Sequence, residues 1–235
     1  MGSGEGRAVL YKITASGAVT ALTGPMTSHY SLTYSQVANK LYCLTGSTAG
    51  PVLTEVTVSG STFNTVTVAA PLHAVSSPTA GANSTVNKNT GDIYYTTYDA
   101  SNTYIEKYVP GGTTSVVATI PAGSYDMILG LSYNRNDNML YAIKRNGGTA
   151  ATADDYVKIN PLSGAVTILS SLPFKVNFEL YSACVDACKE RYYISSVDMG
   201  TGTWVTCYLK QLSLTGAMVQ ADTTADLLQG IYVAD

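Results

Sequence analysis

The sequence predicts an all-β fold, a β-propeller of about five four-stranded blades, from two interleaved repeats. The first repeat is an apolar-alternating run that ends in a turn glycine, and its copies lie 43, 52, 52 and 52 residues apart. The second repeat is a pair of short apolar runs with a tyrosine in the later run, spaced 52, 47 and 52 residues. A period of about 40–50 residues with four strands per unit is typical of propeller blades.

Each repeat reads as a β-hairpin, so one unit contributes four strands, which we call a, b, c and d in chain order. Glycine supplies the positive φ that a tight hairpin turn needs. The c–d turn glycines are Gly17, Gly60, Gly112, Gly164 and Gly216. The b-strand tyrosines are Tyr42, Tyr94, Tyr141 and Tyr193.

Composition agrees with strands and excludes two classes of partner. Of the 235 residues, 46% are hydrophobic, only 12% are charged, and 18 are tyrosine, a residue that suits a pleated, half-wet surface. The net charge of −3 offers no basic patch for nucleic acid. No run of 18 apolar residues is present, so no membrane insertion is predicted.

Residues 158–167 and 130–143 resemble bacterial propeller repeats of the YVTN, NHL-like and secreted Ile-Asn-Pro-x-Ser-Gly kind. The third copy departs from this pattern, with Val109-Pro110-Gly111-Gly112 in place of the Asn-Pro form. The resemblance covers nearly the whole chain and implies the propeller architecture. It carries over no active-site residue.

Residues 1–6 read as a linker or tag, and 7–235 as a single propeller domain. The predicted repeats are 7–28 with 225–235, 29–70, 71–122, 123–174 and 175–224. The closing blade would join both termini, but the repeat spacing leaves it without a b strand. Three explanations stay open: a three-stranded blade, a chain cut from a longer protein, or a strand supplied by a partner. Unpaired strand edges favour association, so self-association through the incomplete blade is one expectation.

The d-to-a and b-to-c connections form one face of a propeller, and loops on a rigid scaffold commonly carry function. The binding residues expected on this face are His29, His73, Tyr98, Asp99, Tyr125, Asp126, Lys175 and Trp204.

The two histidines could line the channel mouth as a base or a metal-ligand pair, although ordinary polar loop residues are the favoured interpretation, and no metal is predicted. Trp204 could stack on a sugar ring or pack between blades. Asp154, Asp155 and Asn146 carry enough oxygen atoms for Ca²⁺, but turn chemistry explains them better.

The cysteines and the remaining motifs give no chemistry. Cys184 and Cys188 flank the a–b turn of the last full blade, where they form either a local disulfide or two buried thiols. No G-x-S-x-G or phosphate-binding loop is present, so we expect no catalytic residue and no cofactor.

Three functions are therefore weighed. The first is a non-catalytic module, extracellular or on the cell surface, that binds a glycan or a protein through its loops. The second is a structural or assembly protein of a surface layer or virus particle, associating through the open blade. The third is an enzyme with its site at the central channel.

Overall fold

A computed structural model describes residues 10–25, 29–47, 50–73, 83–99, 101–122, 126–147, 152–176, 182–197 and 207–224. In these ranges the regular structure is entirely β, arranged as four four-stranded sheets and one two-stranded hairpin. Within the same ranges, no helix has the length and apolar character needed to cross a membrane.

The strands follow one another in chain order. They are β1 (Tyr11–Ile13), β2 (Val19–Ala21), β3 (His29–Ser35), β4 (Lys40–Ser47), β5 (Gly50–Ser59), β6 (Thr62–Ala69), β7 (Ser84–Val86), β8 (Ile93–Tyr98), β9 (Asn102–Tyr108), β10 (Thr114–Pro121), β11 (Met127–Asn134), β12 (Met139–Arg145), β13 (Asp155–Ile159), β14 (Val166–Ser171), β15 (Ser182–Asp186), β16 (Arg191–Val197), β17 (Cys207–Ser213) and β18 (Met218–Thr224).

Each four-stranded sheet is an antiparallel meander in the predicted order a-b-c-d. We number these blades 1 to 4, beginning at β3, β7, β11 and β15. The a strands of blades 1 and 2, of blades 2 and 3, and of blades 3 and 4 contact one another, which is the propeller-like arrangement that the repeats predict.

The predicted count of about five blades is too high for the described residues. Four blades are complete, and the fifth repeat contributes only the hairpin β1–β2 as its c and d strands. A hairpin signal is local, whereas completing a blade requires strands from distant parts of the chain. The predicted a strand of this blade, within 225–235, lies outside the described residues.

The b strands are buried on both faces, and the d strands form the exposed rim. All six residues of β8 are buried, whereas β14 has no buried residue. Because side chains of a strand alternate between faces, a wholly buried strand must be covered on both sides. The neighbouring blades provide that cover.

One apolar cluster fills each junction between complete blades. The cluster between blades 1 and 2 includes Leu44 and Ile93, that between blades 2 and 3 includes Ile105 and Leu140, and that between blades 3 and 4 includes Ile143. A smaller cluster joins the N-terminal hairpin to blade 1 through Leu22, Cys43, Val56 and Phe63.

Tyrosine is the principal large side chain of these junctions. The rings of Tyr94 and Tyr133 stack across blades 2 and 3, with centroids 6.1 Å apart and planes 7° apart. Tyr156 and Tyr192 stack across blades 3 and 4 at 5.1 Å. The Tyr192 hydroxyl donates to the carbonyl of Gly130, a bulge residue with φ +64°. The hydroxyl thereby finds a partner without leaving the core.

Side-chain hydroxyls of the a strands connect successive blades. The backbone N–H of Ser84 donates to Ser31 Oγ at 3.0 Å, and that of Tyr133 donates to Thr85 Oγ1 at 3.1 Å. The N–H of Val185 donates to Ser132 Oγ at 2.8 Å. Each bond satisfies a donor of the next blade, so the inner strands are linked as a series.

The a–b turns share one design. A side-chain oxygen at the end of the a strand, or one residue beyond it in blade 2, accepts from the turn backbone, as Asn87 does from the N–H of Asn89 at 2.9 Å. The residue four positions later takes a positive φ. These residues are Asn39 (52°), Gly91 (83°), Asn138 (58°) and Glu190 (53°). Glycine and asparagine tolerate this conformation, whereas glutamate does not do so readily.

The c–d turn of blade 2 departs from the expected position by one residue. Gly111, not Gly112, has the positive φ, at 74°. The Gly112 N–H donates to the Val109 carbonyl at 2.8 Å, which closes a four-residue turn with Pro110 second and Gly111 third. Proline favours the second position of such a turn and glycine the third.

Alkaline titration should separate the interior tyrosines from the exposed ones. Burial raises the pKa of Tyr42 and Tyr94 to about 12, and the pKa values of Tyr95, Tyr141, Tyr156 and Tyr192 also rise by burial. Because the folded state favours the neutral phenol, burial of these tyrosines contributes stability below the unfolded pKa of about 10. That contribution is lost as pH rises through 12. Absorbance at 295 nm should show a late step, coincident with unfolding, for these interior tyrosines. In guanidinium chloride all tyrosines should titrate together near pH 10; the same single step in the native protein would contradict the interior placement.

Replacing Glu190 by asparagine should stabilise the protein by about 0.5–1 kcal/mol, since the left-handed conformation costs an ordinary residue roughly 1–2 kcal/mol. Denaturant unfolding would measure the gain. Glu190→Ala is the matched control, because alanine removes the same charge and keeps the strain. Equal effects of the two substitutions would show that the charge, not the backbone, is responsible.

Candidate functional site

Two polar clusters lie at the b-to-c connections of blades 2 and 3 and at the d-to-a connections beside them. We call the surface that these connections form the loop face. The blade 2 cluster is centred on Glu106, and the blade 3 cluster on Asp154. Both carboxylates are fully buried. A buried charge is tolerated only when hydrogen bonds or an opposite charge compensate its lost hydration.

Glu106 lies on β9 and is compensated by three donors. The hydroxyls of Tyr95 and Thr97 each donate to it at 2.8 Å, and the backbone N–H of Leu72 donates at 3.1 Å. Leu72 belongs to the connection that leaves blade 1. The carboxylate therefore fastens that connection to blade 2.

Asp99 organises the turn between β8 and β9. Its Oδ1 accepts from the N–H groups of Ser101 and Asn102 at 2.7 and 2.8 Å, and its Oδ2 accepts from the Tyr104 hydroxyl at 2.6 Å. The Tyr104 hydrogen bond, followed by that of Ser101, lowers the pKa of Asp99. The same bond raises the pKa of Tyr104. The turn is thus held with Asp99 ionised and Tyr104 neutral.

His73 stacks on the ring of Tyr104, with centroids 3.7 Å apart and planes 11° apart. Its Nε2 is buried and has no hydrogen-bond partner among the described residues. The imidazole therefore covers one face of the tyrosine ring and packs the connection from blade 1 against blade 2.

Asp154 and Lys175 form a buried ion pair in blade 3, with side chains 0% and 6% exposed. Lys175 Nζ also donates to the carbonyls of Asn146 and Thr152 at 2.6 and 3.0 Å. Asp154 Oδ2 accepts from the Val176 N–H at 2.7 Å. The pair fixes the connection leaving blade 3 against the blade's own b–c loop.

Two further carboxylates hold the same b–c loop. Asp126 accepts from the N–H of Gly147. Asp155 accepts from the Ser171 hydroxyl and from Asn146 Nδ2, both at 2.8 Å. The loop is consequently fastened from both of its neighbouring connections.

The structure brings some of the expected binding residues together and separates others. His73, Asp99 and Tyr98, a buried residue at the end of β8, lie on blade 2. Asp126 and Lys175 meet at the b–c loop of blade 3. His29 is the first residue of β3, paired with Thr45.

His29 begins an a strand, whereas His73 precedes the next a strand by eleven residues. The two histidines thus occupy different positions within their repeats. Tyr125 and Trp204 lie outside the described residues. Whether any of these residues binds a ligand stays a prediction.

Sequence reasoning overlooked Glu106 and treated Asp154 only as turn chemistry. Glu106 and Val157 occupy equivalent positions in blades 2 and 3, because each pairs with the b-strand residue that follows the repeated tyrosine. Blades 1 and 4 hold Thr54 and Lys210 at the same position, so the repeat does not mark it as apolar and gave no signal for a buried charge. Lys210 is the comparable case in blade 4, where its ammonium lies 3.3 Å from the centre of the Phe174 ring.

Cys184 and Cys188 are free thiols in the structure, but Cys184 is only partly buried and Cys188 is exposed, so the alternative of two buried thiols is wrong for Cys188. Burial, with a smaller contribution from Asp186, raises the pKa of Cys184 to about 11. A thiol of this pKa is protonated at neutral pH and is a poor nucleophile. Among the described residues, no three His, Cys, Asp or Glu side chains are grouped to hold a metal ion.

Replacing Lys175 by methionine should destabilise the protein by about 3 kcal/mol, because it leaves the Asp154 carboxylate buried without its counter-ion. Lys40→Met is the matched control, since the Lys40–Glu55 pair is partly exposed and such pairs contribute at most about 1 kcal/mol. Urea unfolding of both variants makes the comparison. Similar losses would mean that the Asp154–Lys175 pair does not have the buried environment described.

Neither a family model nor a curated protein matches this chain. Solved structures do. TolB from Acinetobacter baumannii is 12% identical with a TM-score of 0.65, over 94% of this chain and 50% of that one. A chain of a nidogen/laminin complex is 10% identical with a TM-score of 0.63, over 95% of this chain and 76% of that one.

A gluconolactonase from Xanthomonas campestris is 15% identical with a TM-score of 0.64, over 93% of this chain and 70% of that one. At such low identity the likeness concerns the fold alone, and the chain spans about half of the TolB chain that it matches. The comparisons support the β-propeller fold, while the particular repeat family stays a prediction.

Proposed function

We propose that this chain is a non-catalytic binding module that recognises a protein partner through the loop face of blades 2 and 3. One observation carries the proposal: the five described carboxylates of that face are engaged by donors of the chain itself. These are Asp99, Glu106, Asp126, Asp154 and Asp155.

Carboxylates that already accept hydrogen bonds from their own chain are poor candidates for a general base or a metal ligand. A general base must reach the proton that it removes, and a metal ligand must offer a free lone pair. Glu106 instead directs both oxygens at Tyr95, Thr97 and the Leu72 N–H. These groups hold loops in fixed positions.

Loops held in this way favour recognition, because a surface that is already ordered loses little conformational entropy on binding. Leu72 is 49% exposed, while its backbone N–H is bonded to Glu106. An exposed leucine on an anchored backbone suits the apolar centre of a protein interface, and the uncharged Ser101 and Asn102 of the blade 2 b–c turn suit its polar rim.

A protein partner is favoured over a glycan by the state of the aromatic rings. Sugars bind to an open aromatic face, and the described tyrosines of this loop face, Tyr98 and Tyr104, are each 7% exposed. One face of Tyr104 is already covered by His73. We place the module outside the cell or at its surface, on the support of its low charge and its abundance of Thr, Ser and Gly.

Leu72→Asp should abolish partner capture without affecting the fold. We would immobilise the native chain, expose it to the secreted and surface proteins of its source and to a glycan array, and quantify what is retained. Leu162→Asp is the matched control, since Leu162 is 96% exposed on the c–d turn of blade 3, away from the loop face. A partner lost with Leu72→Asp and kept with Leu162→Asp supports the proposal.

Three results would contradict it: retention that is equal for both variants, binding confined to glycans, or turnover of a lactone substrate by the native chain. The last would favour an enzyme of the kind named among the fold neighbours. Melting temperatures of both variants verify that the propeller is intact.

A further inference from the structure

The hairpin β1–β2 is half of a blade, and its c strand is exposed where every comparable c strand is buried. Ile13 is 68% exposed, whereas its counterparts before the c–d turn, Tyr108, Ile159 and Leu212, are 6%, 0% and 1% exposed. Among the described residues, β1 pairs only with β2. Its other edge corresponds to the side that a b strand occupies in blades 1 to 4.

The hydrogen-bond pattern shows which backbone groups line this edge. Leu22 N–H donates to the Leu10 carbonyl, and Thr14 N–H donates to the Ala18 carbonyl. Antiparallel strands alternate between bonded and non-bonded pairs, so Lys12 also directs its N–H and C=O at β2. Tyr11 and Ile13 therefore present theirs to the open side.

The hairpin covers only part of the blade 1 face that is turned toward it. Tyr34 is 51% exposed, whereas the equivalent a-strand residues of blades 3 and 4, Tyr133 and Val185, are 6% and 9% exposed. Tyr133 is covered by Tyr94, a b-strand residue of the preceding blade. The repeat itself thus identifies what is missing beside Tyr34: a b strand that carries a tyrosine.

We propose that the open blade binds an extended peptide segment with the pattern of a b strand, added antiparallel to the free edge of β1. This interaction is independent of the loop face. Addition of an extended peptide to an exposed edge is an established mode of recognition, in which the backbone gives affinity and the side chains give specificity. A second copy of this chain is not the expected donor, because its own b strands are already paired on both sides.

The complete blades define the sequence and register of the donor strand. In β12 the repeated tyrosine, Tyr141, lies opposite Lys158 of β13, the counterpart of Lys12. Leu140 lies opposite Ile159, the counterpart of Ile13. The donor should therefore read apolar-Tyr-x-apolar, with its tyrosine opposite Lys12.

A labelled peptide with the sequence of residues 138–146, which contains β12, is the probe. We expect saturable binding to the native chain by fluorescence anisotropy, and none with a scrambled peptide. Ile13→Pro should weaken binding about tenfold, because it removes one outward N–H; a tenfold change is about 1.4 kcal/mol, the upper end of what one hydrogen bond contributes. Ile13→Thr keeps that N–H and should bind within about twofold of the native chain.

Tyr34→Asp provides a second variant that leaves β1 unchanged, and it should also weaken binding. Leu72→Asp should leave peptide binding unchanged, which separates this proposal from the loop-face function.

Failure of the native chain to bind the peptide, or equal binding by Ile13→Pro and Ile13→Thr, would overturn the inference. Binding that appears only after residues 225–235 are removed would instead assign the edge to the chain's own C-terminal segment. A concentration-dependent doubling of mass that Ile13→Pro abolishes would assign it to a second copy.

Discussion

Mutual burial of sheet faces between neighbouring blades is the interaction on which the rest of this structure depends. A b strand such as β8 is buried along its whole length, so its sheet has two apolar faces and would be unstable alone. Each complete junction supplies one continuous apolar cluster that contains buried tyrosines. The Tyr192 hydroxyl donates to the Gly130 carbonyl, whereas those of Tyr42 and Tyr156 have no hydrogen-bond partner among the described residues. The a-strand bonds through Ser31, Thr85 and Ser132 then fix the spacing of successive blades. Stability therefore follows the number of complete junctions, and the junction at the N-terminal hairpin is the incomplete one.

Local chemistry explains how much of this architecture could be predicted from the sequence. A glycine or Asx turn between alternating runs specifies a hairpin within about ten residues, which is why the strands lie where the two repeats place them. Gly111 shows the limit of that reasoning, since the proline before it moved the turn by one position. The number of complete blades is a long-range property. The run around Ile13 has the same local signature as the one around Ile159, yet only the second has a b strand beside it.

The sequence predicts which residue types stand at the candidate site, but not which residues form hydrogen bonds or ion pairs with one another. Asp99 could be identified because its partners are two to five residues away. Glu106 and Lys175 act through groups 34 and 21 residues away, Leu72 and Asp154, and nothing in the sequence around either residue identifies the other. The same distinction explains why Asp154 was interpreted as turn chemistry. Its carboxylate does cap a loop, but the cation that balances it enters from the following connection.

The two surfaces differ in how far their polar groups are satisfied, and this difference determines what each can bind. On the loop face the described carboxylates already accept hydrogen bonds from the chain itself, so a partner must be selected by shape and by apolar contact at side chains such as Leu72. Along the free edge of β1, the outward backbone groups of Tyr11 and Ile13 are open to water, and an added strand would take over their hydrogen bonds with a modest net gain for each. Covering the exposed ring of Tyr34 adds free energy from apolar burial. At that edge the backbone hydrogen bonds therefore provide affinity, direction and register, while the donor's side chains provide specificity.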